Sequence, residues 1–226
     1  MVAPDALARV SLFDGLSPAE LEPLAGCVRE RRYARNETIF FRGDPGDSLC
    51  IIESGTVKIS VTSPEGKEMI LALLGSGDFF GELALLDGKP RSADAIAVEP
   101  VRIALLQRAD FLRTLETQPS IAIKLLAVLS HRVRQDVESR QDAAFLDVPA
   151  RLASAILRLA GEQDDERHDA ASNPRLTQAD LAGLVGATRE SVNKWLKHFE
   201  RQGYITYERG RITVLRPEEL RRRIGY

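Results

Sequence analysis

Histidine is absent from the whole stretch between residues 33 and 107, and the three in this 226-residue chain, His131, His168 and His198, lie in separate segments. A haem or histidine-metal centre has no ligand set to draw on, and an enzyme of the cupin type, which needs clustered His and Glu ligands, is excluded with it. Cysteine is equally scarce. Cys27 and Cys50 are the only two, no CxxC occurs, and neither a disulfide framework nor a four-thiolate iron–sulfur cluster can be built. No apolar run approaches the ~18 residues of a spanning helix. The opening Met-Val-Ala-Pro-Asp-Ala lacks the basic and apolar regions of a secretory signal. The expectation is a soluble, cytoplasmic protein with no metal, haem or iron–sulfur cofactor and no membrane partner.

What is present is an ordinary globular balance, 44% hydrophobic and 28% charged, enough to bury a sizeable core. The net charge of −2 conceals a division. From Ser172 to Tyr226 there are 11 Lys and Arg against 6 Asp and Glu, while the rest of the chain is acidic. A small basic C-terminal unit on an acidic body points to a polyanion as the partner of the tail.

Residues 17–30 read as a short helix opened by Ser17-Pro18, with Leu21, Leu24, Ala25 and Val28 on its apolar face. Glycines then recur at Gly43, Gly55, Gly66, Gly77 and Gly88, with short alternating stretches such as Val57-Ile59-Val61 and, later, Val101-Ile103-Leu105. Strands with turns every ~8–12 residues predict an antiparallel sandwich or barrel. After Arg108 the period becomes helical. Positions 126, 129, 133, 137, 140 and 144 make a seam suited to a partner helix, and the lack of proline from Ser120 to Val148 allows one helix of ~37 Å. Asp147-Val148-Pro149 breaks it and caps the next helix, which carries Leu152, Ile156 and Leu159 on one face. Gly161 to Pro174 holds the acidic cluster Glu162, Asp164, Asp165 and Glu166, read as a solvated connection or a contact surface for another protein.

Residues 176–205, LTQADLAGLVGATRESVNKWLKHFERQGYI, form a helix-turn-helix on their own physics. Thr177 caps a helix burying Leu181 and Leu184, Gly186 turns, and Thr188 caps a second helix with Val192, Trp195, Leu196 and Phe199 inward. The polar face of that second helix carries Arg189, Glu190, Asn193, Lys194 and Lys197. Arg or Lys can bond guanine O6 and N7, and Glu can accept from the cytosine amine. Strand-like segments flank Glu208-Arg209-Gly210-Arg211, a hairpin whose basic tip, Arg209 and Arg211, suits phosphate. Thr177, Gln178, Thr188 and Ser191 complete the candidate DNA-contacting set. The bland alternative is a helical hairpin with a solvated charged face.

The second constellation is FFGELALLDGKPRSADAIA, residues 79–97. Gly81 lets a phosphate approach backbone amides, the Glu82–Leu86 turn aims a helix start at it, and Arg91 supplies a permanent forked cation. Ser92 adds a hydroxyl, and Glu82 is suited to a ribose hydroxyl. An ordinary strand-turn-strand with a surface ion pair would use the same residues.

FFGELALLDGKPRSA, together with GKEMILALLGSGDFFGEL before it, AAFLDVPARLASAIL and LTQADLAGLVGATRESVNKWLKHFE, resembles the cyclic-AMP receptor protein (CRP/FNR) family of transcription regulators over residues 10–215. The resemblance implies an α+β chain: a cyclic-nucleotide-binding β-roll (jelly roll) at 1–118, a long dimerisation helix and hinge at 119–146, and a winged helix-turn-helix DNA-binding domain at 147–226. It implies that Gly81, Glu82, Leu83, Arg91, Ser92 and Ala93 hold ribose and phosphate, and that Arg189, Glu190 and Lys194 read bases. Its implied ligand is a cyclic nucleotide, cyclic AMP first and cyclic GMP as the alternative. Its implied partners are double-stranded DNA, a second copy of the chain and RNA polymerase. There is one departure. Where members that bind cyclic AMP tightly have threonine and a small polar residue facing the adenine, this chain has Asp136 and Val137, with Arg132 or Arg140 as the cation to neutralise the aspartate. The competing expectation is a ligand-independent DNA-binding regulator with a vestigial pocket.

Overall fold

The computed structural model describes residues 7–8, 10–13, 15–161 and 174–225. The acidic cluster expected as a connection or contact surface therefore lies outside the described residues. A single 3-10 turn at Ser11–Phe13 leads to α1 (Pro18–Cys27), where the Ser17 amide and hydroxyl both donate to the Glu20 carboxylate at 2.8 and 2.6 Å. Eight strands follow: β1 (Arg29–Tyr33), β2 (Thr38–Phe40), β3 (Ser48–Ser54), β4 (Val57–Thr62), β5 (Glu68–Leu74), β6 (Phe79–Phe80), β7 (Asp94–Ala97) and β8 (Val101–Gln107). The short helix α2 (Glu82–Asp87) interrupts them after β6. Helices α3 (Arg108–Thr117) and α4 (Pro119–Phe145) then run directly on from β8.

The strands form two four-stranded sheets, ordered β1-β8-β3-β6 and β2-β7-β4-β5. The pairings between β1 and β8, β3 and β8, β3 and β6, β2 and β7, and β4 and β7 are all antiparallel. The core explains why β3 reads as an unbroken apolar run rather than an alternation. Cys50 and Ile52 face the second sheet with Val57, Phe80, Ala95, Ala97, Val101 and Ile103. Leu49 and Ile51 face the helices, packing with Leu21, Leu24, Phe111, Ile121 and Leu125. A strand covered on both sides has no polar face to show. Burial pushes the Cys50 thiol up to about 12, so it remains protonated and acts as a small core residue. At the sheet edge, β1 presents Arg29, Glu30, Arg31 and Arg32 to solvent, charges that discourage a stray strand from pairing there.

α4 is one 27-residue helix, begun by Pro119 and free of proline thereafter. Its first half is anchored by Ile121 and Leu125, whereas residues 133–141 are exposed all round. It ends at Phe145, and α5 (Val148–Leu159) starts with the Asp147 carboxylate accepting from the Ala150 amide at 3.0 Å. Asp142 also clips the two helices together, accepting from Ser154 Oγ at 3.0 Å and Arg158 Nη1 at 3.1 Å. Then come α6 (Gln178–Val185), α7 (Arg189–Arg201), β9 (Ile205–Glu208), β10 (Arg211–Val214) and α8 (Pro217–Ile224). Leu152, Ile156, Leu157, Leu181, Val192, Leu196, Phe199, Ile205 and Leu220 are among the deeply buried side chains of this part. Of the inward residues expected from the sequence, Leu159, Leu184 and Trp195 are only half-buried.

The chain divides into two compact units, one holding the chain to Val61 and from Ala72 to Arg134, the other Thr62–Leu71 and everything from Gln135 onward. The division falls inside α4. The turn after β4 counts with the second unit, where Ile70 Cγ1 lies 3.1 Å from the place a Cβ on Gly183 would take.

Phe111 is fully buried at the junction of β-sheet and helices. Phe111→Ala should lower the unfolding free energy by about 3–5 kcal/mol, read from urea denaturation followed by circular dichroism.

Candidate nucleotide pocket and DNA interface

The candidate nucleotide site is built where β6 meets α2. Gly81 precedes the helix with φ +82°, the left-handed region that a side chain resists. It has a second reason to be glycine, since a Cβ there would lie 2.2 Å from Arg91 Nη1. Arg91 is 5% exposed. Its Nη1 donates to the Gly81 carbonyl at 2.8 Å, and its Nη2 donates to the Ser48 carbonyl at 2.7 Å and Ser48 Oγ at 3.3 Å. The guanidinium carbon stands 4.3 Å from the Phe40 ring centroid. Among the described residues no carboxylate pairs with it, and its buried Nε has no acceptor. A buried cation met by carbonyl, hydroxyl and ring dipoles but by no carboxylate, with its Nε–H unspent, is an electrostatic deficit that a phosphate would answer.

Glu82 is buried too, but its charge is answered. Arg132, reaching in from α4, donates to Glu82 Oε1 at 2.6 Å and to the Phe79 carbonyl, and stacks 4.9 Å from the Phe79 ring centroid. Arg132, expected as a neutraliser of Asp136, is thus engaged with the ribose-binding candidate instead. Ala93 is buried, while Leu83 and Ser92 are exposed. Asp136 and Val137 sit on the exposed stretch of α4, as does Arg140. Ser48 and Phe40, which hold Arg91, lie in no motif that the sequence flags. Among the described residues no group of three or more His, Cys, Asp or Glu is placed to hold a metal ion.

The second site is the α6–α7 pair. Thr177 and Asp180 cap α6 reciprocally: the Asp180 amide donates to Thr177 Oγ1 at 3.1 Å, and the Thr177 amide donates to Asp180 Oδ2 at 2.9 Å. Gly186 turns with φ +62°, and Thr188 Oγ1 accepts from the Ser191 amide at 3.2 Å. Gln178 Nε2 donates to Asn193 Oδ1 at 3.1 Å, so these two DNA-contact candidates brace the helices against each other. Arg189, Glu190, Lys194 and Lys197 are exposed on α7. The β9–β10 hairpin turns at Arg209 and Gly210, with φ +50° and +85°. It is tied back by the Leu176 amide donating to the Gly210 carbonyl at 2.8 Å and Tyr207 Oη donating to the Leu176 carbonyl at 2.9 Å. Arg209 and Arg211 are exposed at its tip.

These two sites correspond to two matches. The cyclic nucleotide-binding domain matches residues 30–118, and the Crp-like helix-turn-helix domain matches residues 150–223. The chain belongs to the CRP/FNR family. The CRP-like cAMP-activated global transcriptional regulator of Mycobacterium tuberculosis is 37% identical over 224 residues, covering 96% of this chain and 97% of that protein. The Thermus thermophilus catabolite activator protein structure is 31% identical, covers 95% of this chain and 98% of its own, and superposes with a TM-score of 0.54. A Xanthomonas campestris regulator described as c-di-GMP responsive shares the fold at a TM-score of 0.72 and 24% identity, covering 88% of this chain and 99% of that one. Membership of the CRP/FNR family makes the protein a cyclic-nucleotide-responsive, DNA-binding regulator of transcription and not an enzyme. No helix among the described residues is long and apolar enough to cross a membrane.

Arg91→Ala should weaken cyclic-nucleotide binding by about tenfold or more, the loss of a charge-assisted contact on the order of 1.5–3 kcal/mol. Isothermal titration of wild type and variant checks this; equal affinities would move the phosphate elsewhere.

Proposed function

We propose that the protein is a cytoplasmic homodimer whose affinity for a two-fold symmetric DNA site is set by a cyclic nucleotide, cyclic AMP first and cyclic GMP second, with RNA polymerase as its partner at the promoter. The observation that carries this reading is the buried, uncompensated Arg91 guanidinium beside a left-handed glycine at a helix start. Gly81, Glu82, Leu83, Arg91, Ser92 and Ala93 take the sugar and phosphate. Asp136 and Val137 on α4 are the candidates to meet the base, and Arg132 takes part through the Glu82 carboxylate that it holds. The functional boundaries are 1–118 for the nucleotide domain, 119–146 for the dimer helix and hinge, and 147–226 for the DNA reader.

Dimerisation is supported by the apolar side chains that α4 leaves in water. Ile123, Leu126 and Val133 are 69%, 63% and 62% exposed, and Val137 continues the row. Such a stripe on one helix is the seam a second copy would cover. Two recognition helices then meet half-sites about one helical turn apart, ~34 Å, each TGTGA-like. Arg189 and Lys194 read guanines and Glu190 a cytosine, while Thr177, Gln178, Thr188, Ser191, Asn193, Lys197, Arg209 and Arg211 hold register on phosphate and sugar or brace the readers. A nucleotide that tightens DNA binding must itself bind more tightly when DNA is present, by the same factor.

Calorimetric titration with cyclic AMP, cyclic GMP and cyclic-di-GMP, with and without the DNA site, tests the whole reading. Affinity for cyclic AMP that rises on adding DNA is the expected result. Nucleotide affinity indifferent to DNA would leave a ligand-independent regulator. Val133→Asp should convert a dimer to a 25.0 kDa monomer in light scattering, because two like charges would meet across the axis. Selection from random duplexes should enrich a palindrome with wild type. Arg189→Ala should relax one base pair per half-site at a cost of ~1–3 kcal/mol, whereas Arg211→Ala should weaken all sequences alike.

A further inference from the structure

α8 carries three consecutive arginines in its last turn. Arg221 and Arg222 pair within the helix, with Glu218 at 2.5 Å and Glu219 at 2.8 Å. Arg223 does something different. It donates to the Asp147 carboxylate, the group that caps α5 at the hinge, and its guanidinium carbon lies 6.0 Å from the ring centroid of Trp195 on α7. The same ring has Lys194 Nζ at 5.7 Å, His198 edge-on at 5.2 Å and Phe199 at 6.3 Å. Leu220, fully buried, and the left-handed Gly225 that ends α8 fix where Arg223 emerges. One side chain therefore joins Asp147, the cap residue between α4 and α5, to the helix that presents the base readers.

We propose that Arg223 is a positioning residue for DNA reading, holding the roll of α7 about its axis relative to the hinge residue Asp147. Trp195 is the immediate neighbour of Lys194, and successive side chains on a helix are set 100° apart, so fixing the indole fixes the direction of Lys194. The carboxylate and the ring together determine where the guanidinium rests, and each gives up its hold on α7 if the cation is removed. This rests on α7 being the helix that enters the groove.

The test uses the full chain, whose sole tryptophan is Trp195. Arg223→Gln removes the charge. Asp147→Asn removes the pair from the other side while leaving a side chain that caps α5 nearly as well. Each variant should melt close to wild type, because the pair is partly exposed. Each should shift Trp195 emission in the DNA-free protein and lose about two- to fivefold in affinity for the duplex enriched by wild type, with no change for an unrelated duplex. The double variant should lose no more than either alone, and Arg223→Lys should recover most of the loss. Unchanged emission and unchanged affinity in both single variants would overturn the proposal. So would a lowered melting temperature with the specific-to-unrelated affinity ratio intact where the variant is folded. If Arg223→Gln does not fold, Asp147→Asn decides alone. If wild type enriches no duplex at all, the reading of α7 falls, and the role of Arg223 falls with it.

Discussion

The interior position of the Arg91 charge constrains the whole first unit. A guanidinium taken out of water must be answered at once by oxygen atoms and π-density. The answers come from three separate places: Ser48 at the start of β3, Gly81 after β6, and Phe40 at the end of β2. Gly81 shares a short segment with Arg91, but Ser48 is 43 residues away on β3 and Phe40 lies at the end of β2 in the other sheet, so the Arg91 cradle exists only when both sheets are assembled. The same crowding dictates small residues nearby. A Cβ on Gly46 would lie 2.1 Å from the Ala84 Cβ, as one on Gly81 would press into Arg91. The Arg91 cradle is thus a property of the assembled roll, and the short α2 is its last piece.

The second unit solves a different problem, that of presenting long, mobile cations in a fixed frame. The α6–α7 pair is capped at both starts, turned by Gly186 and cross-linked by Gln178 and Asn193. Leu176 anchors the hairpin, and Glu200 Oε1 accepts from the Tyr207 amide at 3.0 Å. Arg151 donates to the Leu146 carbonyl and the Val185 carbonyl, both at 2.9 Å, tying the hinge to the turn between the two helices. Long cationic side chains such as Arg189 and Lys194 gain from such a rigid support, since each hydrogen bond they make then costs less ordering.

The two halves differ in how much of them the sequence betrays. The helix-turn-helix, its caps, the Gly186 turn, the hairpin tip and the Asp147 break are encoded within a few residues of one another, so local rules suffice. The strands and the Gly81–Arg91 segment were visible for similar reasons. What local reading could not supply is pairing across distance. Arg132 meets Glu82 from 50 residues away, and Ser48 meets Arg91 from 43. Continuous burial in β3 hides the alternation that marks a strand. Trp195 sits at an inward position of its helix yet is half-buried, because its ring faces the arginine of α8 as well as the core.

Arg209 holds a backbone angle of φ +50°, where asparagine or glycine would sit with less strain. An ordinary side chain in that region costs roughly 1–2 kcal/mol. The hairpin tip therefore carries an exposed cation where a better turn former would be less strained, and a consensus-style redesign there would harden the protein while removing that charge. Thermal robustness and the positive charge of the tip pull against each other at a single residue.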